Sequence, residues 1–150
     1  MKQVFAMLCC VTVFLTSIFS CFAQEPATSD ALYGLTVNQH SAPVGVENTI
    51  AFGWKLQSTR VGAAQTAYRL ELATDAAFET VIWTEEKASA LSHAVPYTGD
   101  ALQSGTDYWW RVTVTTDAGE VLTASSTFTT GLLNEADRGG AVFEIGRAHV

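Results

Sequence analysis

Outside its first 21 residues the chain has no cysteine, since all three (Cys9, Cys10 and Cys21) lie in or beside the N-terminal apolar run. Any segment that excludes that run can form no disulfide, and cysteine catalysis and thiolate metal sites are excluded with it. Proline is scarce, at Pro26, Pro43 and Pro96, and basic residues are few. Without Lys2, seven basic residues face 15 acidic ones, a net charge of −8. Such a balance argues against nucleic acid or an anionic membrane surface as partner. The acids are scattered rather than clustered, as on an ordinary solvated surface. No phosphate-binding glycine loop, nucleophile elbow or paired-histidine metal spacing occurs. His40, His93 and His149 are isolated in sequence. A helical hydrophobic period of any length is also missing, which leaves strands to build the core.

What is present begins with a leader. Lys2 precedes an almost wholly apolar run over residues 4–22, and Cys21-Phe22-Ala23 offers small residues at the two positions a signal peptidase reads. Residues 1–23 are therefore expected to be a secretory signal peptide, with the mature chain exported to the periplasm or beyond and no membrane contact after cleavage. The alternative, a lipoprotein signal ending at Cys21, is disfavoured because Phe19 and Ser20 fit a lipobox poorly. Residues 24–31 read as a polar linker. At the other end residues 134–143 read as an exit linker. Ile145-Gly146-Arg147-Ala148-His149-Val150 matches what a common sequencing adapter encodes when read in frame, so residues 144–150 are expected to be read-through. A gene sequence with no adapter at that point would remove this expectation.

Between those ends the sequence alternates. Residues 102–114 start with a Ser104-Gly105 turn and then place Tyr108, Trp110, Val112 and Val114 on one side, with Trp109, Arg111 and Thr113 on the other. A period of two over this length marks a strand with one face in a core. A leucine, a turn and a tyrosine leading such a strand fit a tyrosine corner, the phenol closing onto nearby backbone. Other strands are expected over 32–37, 49–56 (Ile50, Phe52, Trp54 and Leu56 inward), 65–73 (Tyr68, Leu70 and Leu72 inward, Arg69 and Glu71 outward), 80–85, 91–96 and 121–130. A loop over 38–48, a polar hairpin over 57–64, a single helical turn over 74–78 capped by Thr74 or Asp75 and a glycine hairpin over 116–120 separate them. Seven short strands with turn signals between them predict an all-β sandwich, immunoglobulin-like in its tyrosine corner.

Trp54, Tyr68, Leu102, Tyr108 and Trp110 are then core residues, with Trp54 and Trp110 expected on adjacent strands. Trp109, with Arg111 beside it on the outer face, is a candidate contact for a sugar or a neighbouring domain, or a cation–π pair covering the sheet. Trp83 poses the same question. Candidate carboxylate pairs are Glu85 with Glu86, Asp75 with Glu79, and Asp117 with Glu120. Glycoside hydrolysis needs two carboxyls facing each other across a cleft, one with a raised pKa. These pairs fall on turns and strand ends, so a solvated surface explains them and no catalytic residue is assigned.

With these residues in view, the chain resembles the N-terminal fibronectin type III-like module of bacterial α-L-rhamnosidases. Pro43-Val44-Gly45-Val46 before Ile50-Ala51-Phe52-Gly53-Trp54-Lys55-Leu56, then Gln65-Thr66-Ala67-Tyr68-Arg69-Leu70, carry the first part of the likeness. Ile82-Trp83, residues 102–112 and Phe128-Thr129-Thr130-Gly131-Leu132-Leu133 carry the rest. Thr84-Glu85-Glu86 replaces the family's Asp-Ser-Gly, and Arg138-Gly139-Gly140-Ala141-Val142-Phe143 stands where a Trp-rich strand usually follows. The resemblance implies a parent glycoside hydrolase whose α/α-barrel lies far downstream and cleaves terminal α-L-rhamnosyl bonds with inversion, using acidic residues of that barrel. None of those positions exists here. The chain would thus be an accessory module, truncated before the catalytic domain, that needs no cofactor. Its partners would be the downstream domains of its own polypeptide and, through the parent, rhamnose-containing glycans. The other readings are a carbohydrate-binding module using Trp109 or Trp83, and a structural module of another secreted or surface protein.

Overall fold

In the computed structural model, residues 29–138 are described. The leader, most of the 24–31 linker and the 144–150 tail lie outside them. Eight strands form two sheets. They are β1 (Ala31–Val37), β2 (Val44–Val46), β3 (Ala51–Gln57), β4 (Gln65–Ala73), β5 (Val81–Lys87), β6 (Val95–Pro96), β7 (Asp107–Thr116) and β8 (Val121–Thr130). One sheet runs β1-β3-β6 and the other β2-β8-β7-β4-β5. The pairings are antiparallel except that of β2 with β8, which is parallel.

The alternation read from sequence is present in β7, where Tyr108, Trp110, Val112 and Val114 are buried and the residues between them half-buried. In β4 Tyr68, Leu70 and Leu72 are likewise buried. Register then stacks the inward residues in rows across the sheet. Trp83, Leu72, Trp110 and Ser126 form one row, and Glu85, Leu70, Val112 and Ala124 the next. The three-stranded sheet answers with Phe52, whose ring lies 4.8 Å from Trp110, 6.0 Å from Trp83 and 6.4 Å from Phe128. Trp54 meets Tyr68 edge to face at 5.3 Å. These offset and edge contacts are the arrangements aromatic quadrupoles favour.

Four expectations are corrected. Trp54 and Trp110 do not lie on adjacent strands, because β3 and β7 belong to opposite sheets and face each other across the core. Residues 57–64 are a crossover between sheets rather than a hairpin, since β3 and β4 do not pair. The expected 91–96 strand contracts to Val95–Pro96, with Ala94 at φ 52° breaking the extended backbone before it. An eighth strand, β2, sits inside what reads as a loop.

The tyrosine corner closes as expected. The Gln103 backbone N–H donates to the Tyr108 hydroxyl at 3.0 Å, and Leu102 packs against the core beside it. Such a bond is worth about 1 kcal/mol net. The β7–β8 hairpin turns through Gly119 at φ 80°, a conformation with no steric cost for glycine. The N-terminal entry is pinned as well. Asp30 accepts from the Thr59 N–H at 2.7 Å and from the Ser58 and Thr59 hydroxyls, which hold its carboxyl at about 2.

The exit is anchored more firmly than a linker. The Gly131 N–H donates to the Val46 carbonyl at 2.8 Å, and the Gly131 carbonyl accepts from the Gly105 N–H at 3.0 Å. A Cβ on Gly131 would stand 3.2 Å from the Gly45 oxygen, so glycine permits this approach of the exit to β2. The Leu133 N–H then reaches the Ser104 hydroxyl at 2.8 Å, which also bonds Asp137. A 3₁₀ turn follows over Glu135–Arg138.

Candidate functional site

The outer face of the five-stranded sheet holds two of the residues singled out from sequence. Trp109 and Arg111 are two apart on β7 and both half-buried, Trp109 in register with Ala73 and Thr127, Arg111 with Glu71 and Ser125. They do not form the expected cation–π pair with each other. The Arg111 guanidinium instead lies over Phe78, 4.3 Å from the ring centroid, and its Nε donates to Glu71 Oε2 at 2.7 Å. Glu71 is only 7 % exposed and takes a second cation through Arg69 Nη2 at 3.0 Å. A buried carboxylate needs such partners to keep its charge.

Phe78 reaches this position at φ 56°, strained for a residue with a side chain. The strain is held by Asp75, whose carboxylate accepts from the Glu79 N–H at 3.0 Å and the Thr80 N–H at 2.7 Å, and whose carbonyl accepts from the Phe78 N–H. The expected helical turn here is thus an aspartate-closed loop without a helix, and those bonds hold the Asp75 carboxyl below its ordinary range. This face thus gathers Glu71, Phe78 and Arg111 through an ion pair and a cation–π contact, with Trp109 two residues away along β7. Glu71 and Phe78 are not legible in the sequence as its members. Only the cross-strand register brings Glu71 beneath Arg111, and the sole signal is opposite charges on two outward stripes.

Trp83 is not on this face. It points inward from edge strand β5, half-buried, with Phe52 on one side and Tyr97 at 4.9 Å on the other. Trp83 and Trp109 therefore occupy opposite faces of one sheet and cannot flank a single sugar ring. Beside Trp83, Glu85 accepts from the Tyr68 hydroxyl at 3.1 Å and the Thr98 hydroxyl at 3.0 Å and pairs with Lys87. Burial alone would raise the Glu85 carboxyl, but these donors outweigh it and leave it below its ordinary value. Burial, and then the Glu85 charge, push the Tyr68 phenol up to about 12.

A raised folded-state pKa favours the neutral phenol. Its contribution to stability is complete below the unfolded value of 10 and is lost as pH rises from 10 towards 12. Tyr68→Phe is expected to flatten that part of the stability–pH profile in urea titrations between about pH 9 and 11.5. An unchanged slope would show that Tyr68 titrates alike in both states.

Of the remaining candidate carboxylates, Asp117 is spent on structure. Asp117 pairs with Arg60 and accepts from the Ala64 N–H at 3.2 Å, closing the end of the sandwich opposite the exit. Glu86 is exposed, in register with Arg69. None of these carboxyls lines the groove beside β2 or the smaller cleft that continues it.

An open concavity lies elsewhere, between β2 and the three-stranded sheet. It is an open groove of about 900 Å³ with Val37, Val46 and Phe52 in its floor, and His40, Val44 and His93 at its rim. Its walls include left-handed backbone at Asn38 and Gln39, fixed where the Asn38 carboxamide bridges the Ala51 N–H (2.8 Å) and the Thr49 carbonyl (2.7 Å). A smaller cleft lined by Glu47, Asn48, Thr49, Leu132 and Leu133 continues it to the exit and shares Glu47 and Thr49 with it. In the sequence, residues 38–48 read as a loop throughout and suggest no site.

A tyrosine corner, two facing sheets and faces occupied by structural contacts define an immunoglobulin-like sandwich module. Residues 32–134 match the family described as Rha78A-like, N-terminal immunoglobulin domain, and the chain belongs to that family. It is similar to an alpha-L-rhamnosidase of Formosa agariphila, 30% identical over 142 residues, which covers 87% of this chain and 15% of that protein. Among solved structures, the Streptomyces avermitilis alpha-L-rhamnosidase complexed with L-rhamnose superposes with a TM-score of 0.68 at 27% identity, over 73% of this chain and 11% of that one. The alpha-L-rhamnosidase from Dictyoglumus thermophilum shares the fold, with a TM-score of 0.65 at 24% identity over 71% and 13%. The chain thus spans about one-seventh or less of the length of these relatives.

Proposed function

We propose that this chain is the exported, non-catalytic N-terminal module of an α-L-rhamnosidase, which spaces and packs against the domains that follow it. The observation that supports this best is the anchored exit. Gly131 and Leu133 are hydrogen-bonded to β2 at Val46 and to the Ser104-Gly105 turn before β7, so the chain leaves the sheet from a fixed point. A flexible linker would need no such bonds. Hydrolysis of rhamnose-containing glycans would belong to the downstream domains; in this module Asp75 is occupied with capping, and Asp117 and Glu71 with ion pairing. The leader over residues 1–23 would direct export and be removed after Ala23.

The test is a hydrolysis assay. Purified residues 24–143 are expected to release no chromophore from a nitrophenyl α-L-rhamnoside, while the same module expressed with the polypeptide encoded downstream releases it. Turnover by the isolated module would overturn the non-catalytic assignment. Absence of a hydrolase reading frame downstream would overturn the parent.

A further inference from the structure

On the outer face of the five-stranded sheet, Arg111 is already committed to internal contacts. Arg111 is held by Glu71 and Phe78, and Trp109 is half-buried in the same layer. The groove between β2 and the three-stranded sheet is different. Its floor is apolar, and Val44 at its rim is a large apolar side chain, 82 % exposed among the described residues. The cleft that prolongs it ends at Leu132, 54 % exposed, immediately after the Gly131 anchor. Exposed apolar side chains are ordinary singly, but two on one continuous concavity mark an interaction site. The outward edge of β2 adds unpaired backbone, because β2 is the end strand of its sheet among the described residues.

Position selects the occupant. The polypeptide leaving Leu133 emerges against this surface, held there by Ser104 and by the Asn48 side-chain amide, which donates to the Leu133 carbonyl at 3.4 Å. A domain that follows the Glu135–Arg138 turn, itself tied to Ser104 through Asp137, starts one short turn from the Leu132 end of this surface. We infer that the groove bounded by Val44 and continued to Leu132 is the face on which the next domain of the same polypeptide docks, with an apolar segment of that domain covering Val44. This inference rests on the packing role proposed above and names its surface. It moves the contact away from Trp109 and Arg111, which the sequence favours.

Hydrogen exchange of the mature module, alone and joined to its downstream polypeptide, tests this. The joined form is expected to gain at least about tenfold protection at Gly45, Glu47 and Leu132, with Trp109, Arg111 and Ser125 unchanged. Val44→Asp and Leu132→Asp alter exposed positions and should leave the melting temperature of the isolated module within a few degrees of the parent's. In the joined form the pair is expected to abolish the added protection. Protection gained at Trp109 and Arg111 in place of the groove would overturn the assigned face while leaving the packing role standing. No added protection on any face would overturn both.

Discussion

Trp110→Ala is expected to destabilise the sandwich by about 3–5 kcal/mol, the range for deleting a large buried aromatic side chain. Trp110 is fully buried at the centre of the five-stranded sheet, between Leu72 and Ser126 in register and under the Phe52 ring. Its removal opens a void that the facing sheet cannot fill without moving Phe52, which also supports Trp83 and Phe128. A domain of this size has only about 5–15 kcal/mol in total, and its 32–134 segment has no cysteine to form a disulfide. Urea unfolding followed by tryptophan fluorescence should show a large fall in midpoint with an unchanged slope. Trp110→Phe separates the contributions. The indole Nε1 has no hydrogen-bond partner among the described residues, a defect of about 1–3 kcal/mol that phenylalanine lacks. The phenylalanine variant should therefore lose less than half as much as the alanine variant. Equal losses would mean that the void is not the dominant cost.

The second large effect is expected at Gln65. This side chain is 8 % exposed and links three groups. Its Oε1 accepts from Trp54 Nε1 at 2.9 Å, and its Nε2 donates to the Ser89 and Leu91 carbonyls, both at 2.9 Å. Gln65→Leu keeps the approximate volume but strands the buried Trp54 N–H, at about 1–3 kcal/mol. The two carbonyls lie near solvent and can turn to water, so their loss shows as mobility rather than stability. The expected result is a loss of about 2 kcal/mol, with faster amide exchange over residues 88–92. Gln65→Glu keeps the acceptor for Trp54 and removes the two donors. It also sets a buried carboxylate oxygen against those two carbonyls, so it should loosen the 88–92 loop and lose at least as much stability as Gln65→Leu. If both variants were as stable as the parent, the Gln65 bridge would contribute nothing to holding the sheets together.

These two residues also mark what the sequence can and cannot reveal. Trp110 is legible as core because ten residues of strict alternation in β7 can only be a strand with one dry face. The same rule exposes β4 and β8. It reports which side of a strand is dry, but not which strand lies opposite. Hence Trp54 and Trp110, side by side in expectation, stand across the core from each other. Gln65 looks like an ordinary polar residue at a strand start, since the groups it bridges are 11 to 26 positions away. Glu71 is hidden by the same lack of register information. β2 escapes because three residues carry no period, and backbone pairing with Thr129 and Thr130 makes it a strand. The groove inherits that blindness, being built from a loop whose left-handed turns at Asn38 and Gln39 leave no hydrophobic pattern.

The parallel pairing of β2 with β8 has a consequence for how the molecule comes into being. β1 can meet β3 soon after both are made, because only a short loop separates them. β2 must wait for the last strand, with Val46 pairing to Thr130 more than 80 residues later. At about 5–20 residues per second, synthesis leaves that edge single for several seconds at least. The same order applies to a chain threaded N-terminus first through an export pore. During that interval β2 has no strand to pair with, and the Val44 edge and the apolar floor beside it are uncovered. Completion of β8 closes the sheet and sets the Gly131 anchor in one event, so the heading of the chain beyond it is decided only when the module is finished.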